Sequence, residues 1–294
     1  MNTRLIKQKI KSVGNIKKIT RTMEMVSVTK MKRSTDAAHA YRSFIASALT
    51  ILNNIHKDSY LRHPFIKKNI STDGKEEQTN SKNILIIIGA NKGLCGGYNA
   101  QLYKAVSKYF LKNKQNVSVV AIGKYGEKIA KKFTNDIFLS YAKNSIYDKD
   151  ASVIAKEIIN RYLDKTNTNA TVTIIHPHIT TGVSYTTRTI QMLPFVLDSY
   201  LTNDMLGVTL NGVAFTYEPT PESVIESVIP LIIEALIISA ARETEAGEHA
   251  ARMMAMKTAT DNAGDLLDEL KLNYNNARQA KITQEIAEIS SAMA

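Results

Sequence analysis

Residues 223–294 read SVIESVIPLIIEALIISAARETEAGEHAARMMAMKTATDNAGDLLDELKLNYNNARQAKITQEIAEISSAMA, with one Pro (Pro230) and two Gly (Gly247, Gly264). So sparse a supply of helix breakers predicts one long helix, roughly 105 Å if continuous. The opposite end behaves alike. From Met1 to about Lys57 there is no Pro and only Gly14, a second helix of roughly 80 Å. Apolar or small residues recur at steps of mostly three and four in both. In the first they include Ile6, Ile10, Val13, Met23, Met31, Ala38, Ile45 and Leu52. In the second they include Val224, Val228, Leu231, Ala235, Ile238, Ala250, Met253, Met256, Ala263 and Leu266. That is the amphipathic helix period. No compact domain of this size buries two helices of such length, so they are expected to pack on each other, on partners, or both. Two surface helices wrapped on a globular core is the plainer alternative.

Charge favours the pairing. Residues 1–57 carry 12 Lys or Arg against 2 Asp or Glu, a net +10. Residues 221–294 carry 6 against 12, a net −6. Opposite net charge selects the partner helix and disfavours self-pairing. Single exposed ion pairs contribute only ~0–1 kcal/mol, so burial must hold the pair together. Ala and Gly in the middle of the last segment allow close backbone approach. The fold expected is therefore an α/β body with the terminal helices returning side by side as a long antiparallel coiled coil. Its division is 1–57 and 221–294 for the helices and 82–215 for the body.

Composition bounds the rest. The chain has 294 residues, 44% hydrophobic and 22% charged, in the range of ordinary soluble proteins. One cysteine, Cys95, excludes an internal disulfide framework. Met1–Lys18 lacks the apolar core and cleavage site of a signal peptide. The most apolar stretch, Val224–Ala241, contains Glu226, Pro230 and Glu234 and reads as a packed helix rather than a membrane span. The net charge of +11 calls for an anionic partner. Nucleic acid is disfavoured because only Tyr41 and Phe44 accompany the N-terminal basic residues.

The middle alternates strand and helix. Ser71–Ser81 reads as a linker, followed by a buried strand at Ile84–Ile88 and a helix from Tyr98 to about Leu111. Val117–Ile122 and Ile137–Tyr141 read as strands, Tyr125–Lys132 and Asp148–Leu163 as helices, and Thr171–His176 and Val183–Met192 as further strands. This order predicts a Rossmann-like, open, mostly parallel sheet. The glycine loop from Gly89 to Gly97 invites a phosphate-binding reading. Yet Gly97 is followed by Tyr98-Asn99, not Lys-Ser/Thr, and the glycine spacing does not fit Gly-x-Gly-x-x-Gly. The glycines are expected to serve tight turns. His176 and His178, flanking Pro177, lack a third ligand and read as a surface loop. Cys95 reads as a buried small side chain. No catalytic constellation, metal site or cofactor site emerges.

Three stretches resemble the gamma subunit of the F-type ATP synthase, bacterial type. They are Ile16–Val26 (IKKITRTMEMV) with Lys30-Met-Lys32, then Gly93–Asn99 (GLCGGYN), and then the runs Glu248–Lys257, Ala259–Gly264 and Asn276–Glu285. They keep their order and span nearly the whole chain. The resemblance implies a non-catalytic central stalk, the rotor shaft that couples proton flow to ATP synthesis or hydrolysis. Its implied partners are the hexamer of alpha and beta subunits, the epsilon subunit and the membrane rotor c-ring. It implies peripheral attachment, through those partners only, at the cytoplasmic face of the bacterial inner membrane. The other reading is an α/β nucleotide-binding enzyme with a dimerising coiled coil.

The resemblance also carries residues. Arg278, Gln279 and Thr283 match the family's upper contact with a beta-subunit loop, and Met23 its contact near the beta subunit's acidic lever. The ordinary readings are an exposed helix charge for Arg278 and a helix-seam position for Met23. Tyr217 and Glu218, in Tyr217-Glu-Pro219, match the family's foot contact by the rotor ring. Phe215 stands where Tyr is common. The paired-cysteine insert of chloroplast forms is missing, and Leu236–Ala246 departs from the family pattern.

Overall fold

A computed structural model of the chain describes residues 3–59, 63–66, 82–113, 117–142, 148–164, 170–181, 184–196 and 216–292. The predicted linker Ser71–Ser81 and Phe215 lie outside the described residues. The chain forms two compact units, Met1–Thr29 with Arg252–Ala294, and Lys30–Ala251. Helix α1 spans Thr3–Ser59 and the last helix, α5, spans Pro221–Ala292, so both run without a break through residues of both units.

The larger unit is built on five strands, β1 (Asn83–Ile88), β2 (Val117–Ile122), β3 (Ile137–Tyr141), β4 (Val172–Thr181) and β5 (Ser184–Leu193), in the order β3-β2-β1-β4-β5. β1 pairs in parallel with β2 and β4, as does β2 with β3, whereas β4 and β5 are antiparallel. Alternation along β1 sorts its side chains to two faces. Ile84, Ile86 and Ile88 join Leu49 and Leu52 of α1, Ile154 of α4 (Asp148–Tyr162) and Ile229 and Ile232 of α5. Leu85 and Ile87 join Leu102 and Val106 of α2 (Tyr98–Lys112) and Ile129 of α3 (Lys124–Ala130). Both faces are covered, so β2 is buried at every position instead of alternating with polar residues.

α5 is long and apolar enough by length and composition to cross a membrane. The isoleucines at its start are committed elsewhere: Ile225, Ile229, Ile232 and Ile233 are fully buried in the same cluster as the sheet. That burial also carries the helix through Pro230, which removes one backbone hydrogen bond.

In the smaller unit the Thr260 hydroxyl donates to the Thr20 hydroxyl (2.8 Å) and to the Met256 carbonyl (2.8 Å). Lys17 Nζ lies over Gly264, 2.9 Å from where a Cβ would be. Numbering therefore rises on one helix as it falls on the other. Among the described residues of this unit, only Ile6, Thr20, Ser27, Arg252, Met256, Thr260 and Ala263 are buried, so the seam is thin. Thr260→Val is expected to cost about 1 kcal/mol in urea unfolding, because Thr20 keeps its bond to the Lys17 carbonyl. All of residues 278–292 are exposed.

One expectation is corrected. His176 and His178 do not lie on a surface loop. Both belong to β4 and are 2% and 4% exposed. Pro177 suggested a chain break. β4 is paired with β1 only as far as Ile175, however, so a residue without an N–H is tolerated beyond that point.

Candidate functional site

From β1 the chain steps outward to β2 and β3, then returns to place β4 on the other side of β1. The carboxyl ends of β1 and β4 thus flank a topological switch point, the crevice where open α/β sheets take their ligands. Here the crevice holds a turn and a half of α5. Glu243 and Gly247 lie one turn apart on α5, and so do Thr244 and Glu248. The Glu243 carboxylate accepts from Arg42 of α1 (Nη2 at 2.6 Å, Nε at 2.8 Å) and meets His178 Nδ1 of β4 at 2.7 Å. The Tyr98 hydroxyl donates to the Thr244 carbonyl at 2.6 Å. The Asn91 backbone N–H donates to Glu248 at 2.8 Å. Gly247 faces the Tyr98 ring, and a Cβ there would lie 3.1 Å from it.

The glycine loop serves this packing. Gly123 has φ 81°, and an added Cβ would fall inside the contact distance of the Gly89 carbonyl oxygen. Gly89 in turn approaches the backbone of Gly126 too closely for any side chain. The backbone N–H of Asn91, in this loop, serves a carboxylate of the same chain, that of Glu248. Cys95 is buried, as its sequence context suggested. No group of His, Cys, Asp and Glu able to hold a metal occurs among the described residues.

The electrostatics fit a closed clamp. Burial alone would raise the Glu243 pKa, but the His178 hydrogen bond, His176 and Arg42 outweigh it and hold it at about 2. Burial lowers the His176 pKa, against the pull of Glu243. A cavity of about 40 Å³ beside the clamp is lined by Ile45, Ile174, Met192, Leu236 and the clamp residues Arg42, His176 and Glu243.

The residues carried over by resemblance lie elsewhere. Arg278, Gln279 and Thr283 are exposed near the end of α5. Met23 is half-buried on α1; the Thr20–Thr260 register sets it roughly 30 Å of helix from Arg278. These form two patches, not one. Tyr217 is half-buried and Glu218 exposed, just before α5. Sequence reading missed the clamp. The available signals were two histidines two residues apart on one strand face and an acid in the apolar approach of α5.

The family model described as ATP synthase matches residues 2–294. An ATP synthase gamma chain of Halothermothrix orenii is 32% identical over 288 residues, covering 97% of this chain and 95% of that one. That of Verminephrobacter eiseniae is 36% identical over 298 residues, covering 98% and 96%. The chain belongs to the ATP synthase gamma chain family. Gamma chains are non-catalytic subunits, and this one is not an enzyme by itself. The fold agrees. A chain of the Euglena gracilis mitochondrial ATP synthase (OSCP/F1/c-ring, rotational state 3) superposes with a TM-score of 0.64 at 17% identity, covering 99% of this chain and 93% of that one. A Tetrahymena thermophila mitochondrial ATP synthase chain (central stalk/c-ring) gives 0.57 at 23% identity, over 82% and 99%. In this gamma-chain fold the switch point of the Rossmann-like sheet receives the chain's own helix.

Proposed function

We propose that this rotor subunit works through an antiparallel coiled-coil shaft of residues 1–57 and 221–294, carried on an α/β foot of residues 82–215. Its partners on this reading are the alpha and beta subunits around the shaft, with epsilon and the c-ring at the foot. It meets the bacterial inner membrane only through them, on the cytoplasmic side. The observation that carries the reading is the end of α5. Residues 278–292 are exposed throughout, and Ile282, Ile286 and Ile289 form a stripe 42–61% exposed. Among the described residues nothing covers this stripe; inside a ring of subunits it gains a bearing.

The physics of coupling sets the further requirement. Three chemically identical catalytic sites can be held in different states only if the shaft contacts them differently. A two-helix rod, unlike a cylinder, presents different side chains to each. On this reading Arg278, Gln279 and Thr283 meet a beta-subunit loop, where the Arg278 guanidinium makes forked bonds to a carboxylate. Met23 meets the beta subunit's lever, and Tyr217 and Glu218 meet the rotor ring. Arg278→Ala is expected to lower ATP synthesis in reconstituted vesicles three- to tenfold, the kinetic equivalent of about 1 kcal/mol, while urea unfolding of the isolated chain stays unchanged. An unaltered synthesis rate in a fully assembled enzyme would remove that role. The chain alone is expected to hydrolyse no ATP.

A further inference from the structure

We infer that the switch-point crevice has become the torque joint of the rotor, a socket in which the α/β body grips α5 and, through it, α1. The inference rests on the rotor reading above. Apolar packing of helices on a sheet resists separation, but it is non-directional and opposes sliding or twisting only through shape. A joint that passes rotation needs directional contacts set away from the helix axis. The four α5 positions in the crevice supply them. Glu243 is bonded to His178 of β4 on one side and Arg42 of α1 on the other. One turn further on, Glu248 takes the Asn91 N–H from the loop after β1. Between them Tyr98, fully buried at the start of α2, reaches the Thr244 carbonyl. Gly247 lets that ring lie directly on the helix, so the ring blocks rotation like a key in a slot. Anchors on β4, α2 and the β1 loop thus all hold the stretch Glu243–Glu248 of α5.

Glu243 couples the two terminal helices to the same strand. Its side chain is 7% exposed and accepts a forked pair of bonds from Arg42. A buried carboxylate with this set of partners tolerates little angular play, since any rotation leaves charge unpaired in a low-dielectric setting. Glu243, Tyr98, His178 and Arg42 are thus positioning residues for rotary coupling. They touch no substrate; they act by fixing the helix angle relative to the body.

The test uses the whole ATP synthase in inverted membrane vesicles, comparing wild type, Glu243→Gln, Tyr98→Phe and the double variant. ATP hydrolysis and ATP-driven proton pumping are measured on the same preparation, with gamma-chain content quantified. The expected result is a fall of at least threefold in protons pumped per ATP hydrolysed for the double variant, a smaller fall for each single variant, and hydrolysis within about twofold of wild type. Glu243→Asp should recover most of the ratio. A purely structural role would lower assembly, and hydrolysis and pumping together, leaving their ratio unchanged; that outcome overturns the joint. So does an unaltered ratio in fully assembled variants. If vesicles whose ATP synthase lacks this chain pump protons as well as wild-type ones, the rotor reading itself fails, which separates the two.

Discussion

Replacing Gly123 by Ala is expected to prevent the α/β unit from folding, at a cost of at least about 4 kcal/mol. Two causes add. Gly123 sits at φ 81° and ψ 154°, a region kept essentially for Gly, where a Cβ costs roughly 1–3 kcal/mol by backbone sterics alone. The new Cβ would also meet the Gly89 carbonyl oxygen closer than 3.0 Å, and the obstacle is backbone, not a movable side-chain tip. Neither segment can retreat. The Gly123 N–H donates to the Tyr141 carbonyl at 2.8 Å, and the Gly89 N–H donates to the Ile122 carbonyl at 2.9 Å. Moving either breaks a hydrogen bond at the head of the sheet. Gly97→Ala is the control, because nothing lies within 4 Å of a Cβ there. Circular dichroism in a urea series should show Gly97→Ala within about 1 kcal/mol of wild type and Gly123→Ala unfolded without denaturant. A cooperative, near-wild-type transition for Gly123→Ala would refute the account.

Much of this architecture is legible in the sequence because its signals are long or local. The scarcity of Pro and Gly at both ends marked α1 and α5, and runs such as Ile84–Ile88 and Val117–Ile122 marked the strands almost to the residue. Of the loop glycines, Gly89 crowds the backbone of Gly126 and Gly96 takes φ 56°, as a tight turn requires, whereas Gly97 has open space around it. What stayed hidden is non-local. His178 and Glu243 are 65 residues apart, and Arg42 and Glu243 are 201 apart. No spacing rule links positions so far separated, and a Pro between two histidines argues locally for a loop. Only the pairing of β4 with β5, which continues through Pro177↔Thr187, overrides that preference. Arg278, Gln279 and Thr283 present the opposite case. They lie on a helix end exposed throughout residues 278–292, and the role proposed for them rests on the family resemblance, not on a described contact within the chain.

Acid is expected to loosen the clamp in two steps with different owners. His176 is buried and its pKa lies below the usual 6.5, so the folded chain resists a proton that the unfolded chain accepts. Stability from this source is complete above pH 6.5 and declines as the pH falls below it. Glu243 has a folded-state pKa of about 2 against 4.5. Its contribution is complete above pH 4.5 and is lost as the pH falls from there toward 2, reaching about 3 kcal/mol at most. The two have the same sign, so they add on acidification. The groups facing them are Arg42 from α1, His178 from β4, and Arg188, whose charge also disfavours protonation of His176. Glu243→Gln separates the windows. The variant keeps a buried His176 and so keeps the decline below pH 6.5. It has no carboxylate to protonate and should lose the further decline below pH 4.5. Urea midpoints followed by tyrosine fluorescence at pH 7.5, 5.5, 4.5 and 3.5 decide the matter. If wild type and Glu243→Gln ran parallel from pH 4.5 to 3.5, the carboxylate in the crevice would not be the charged, bonded group that holds α5 to the sheet.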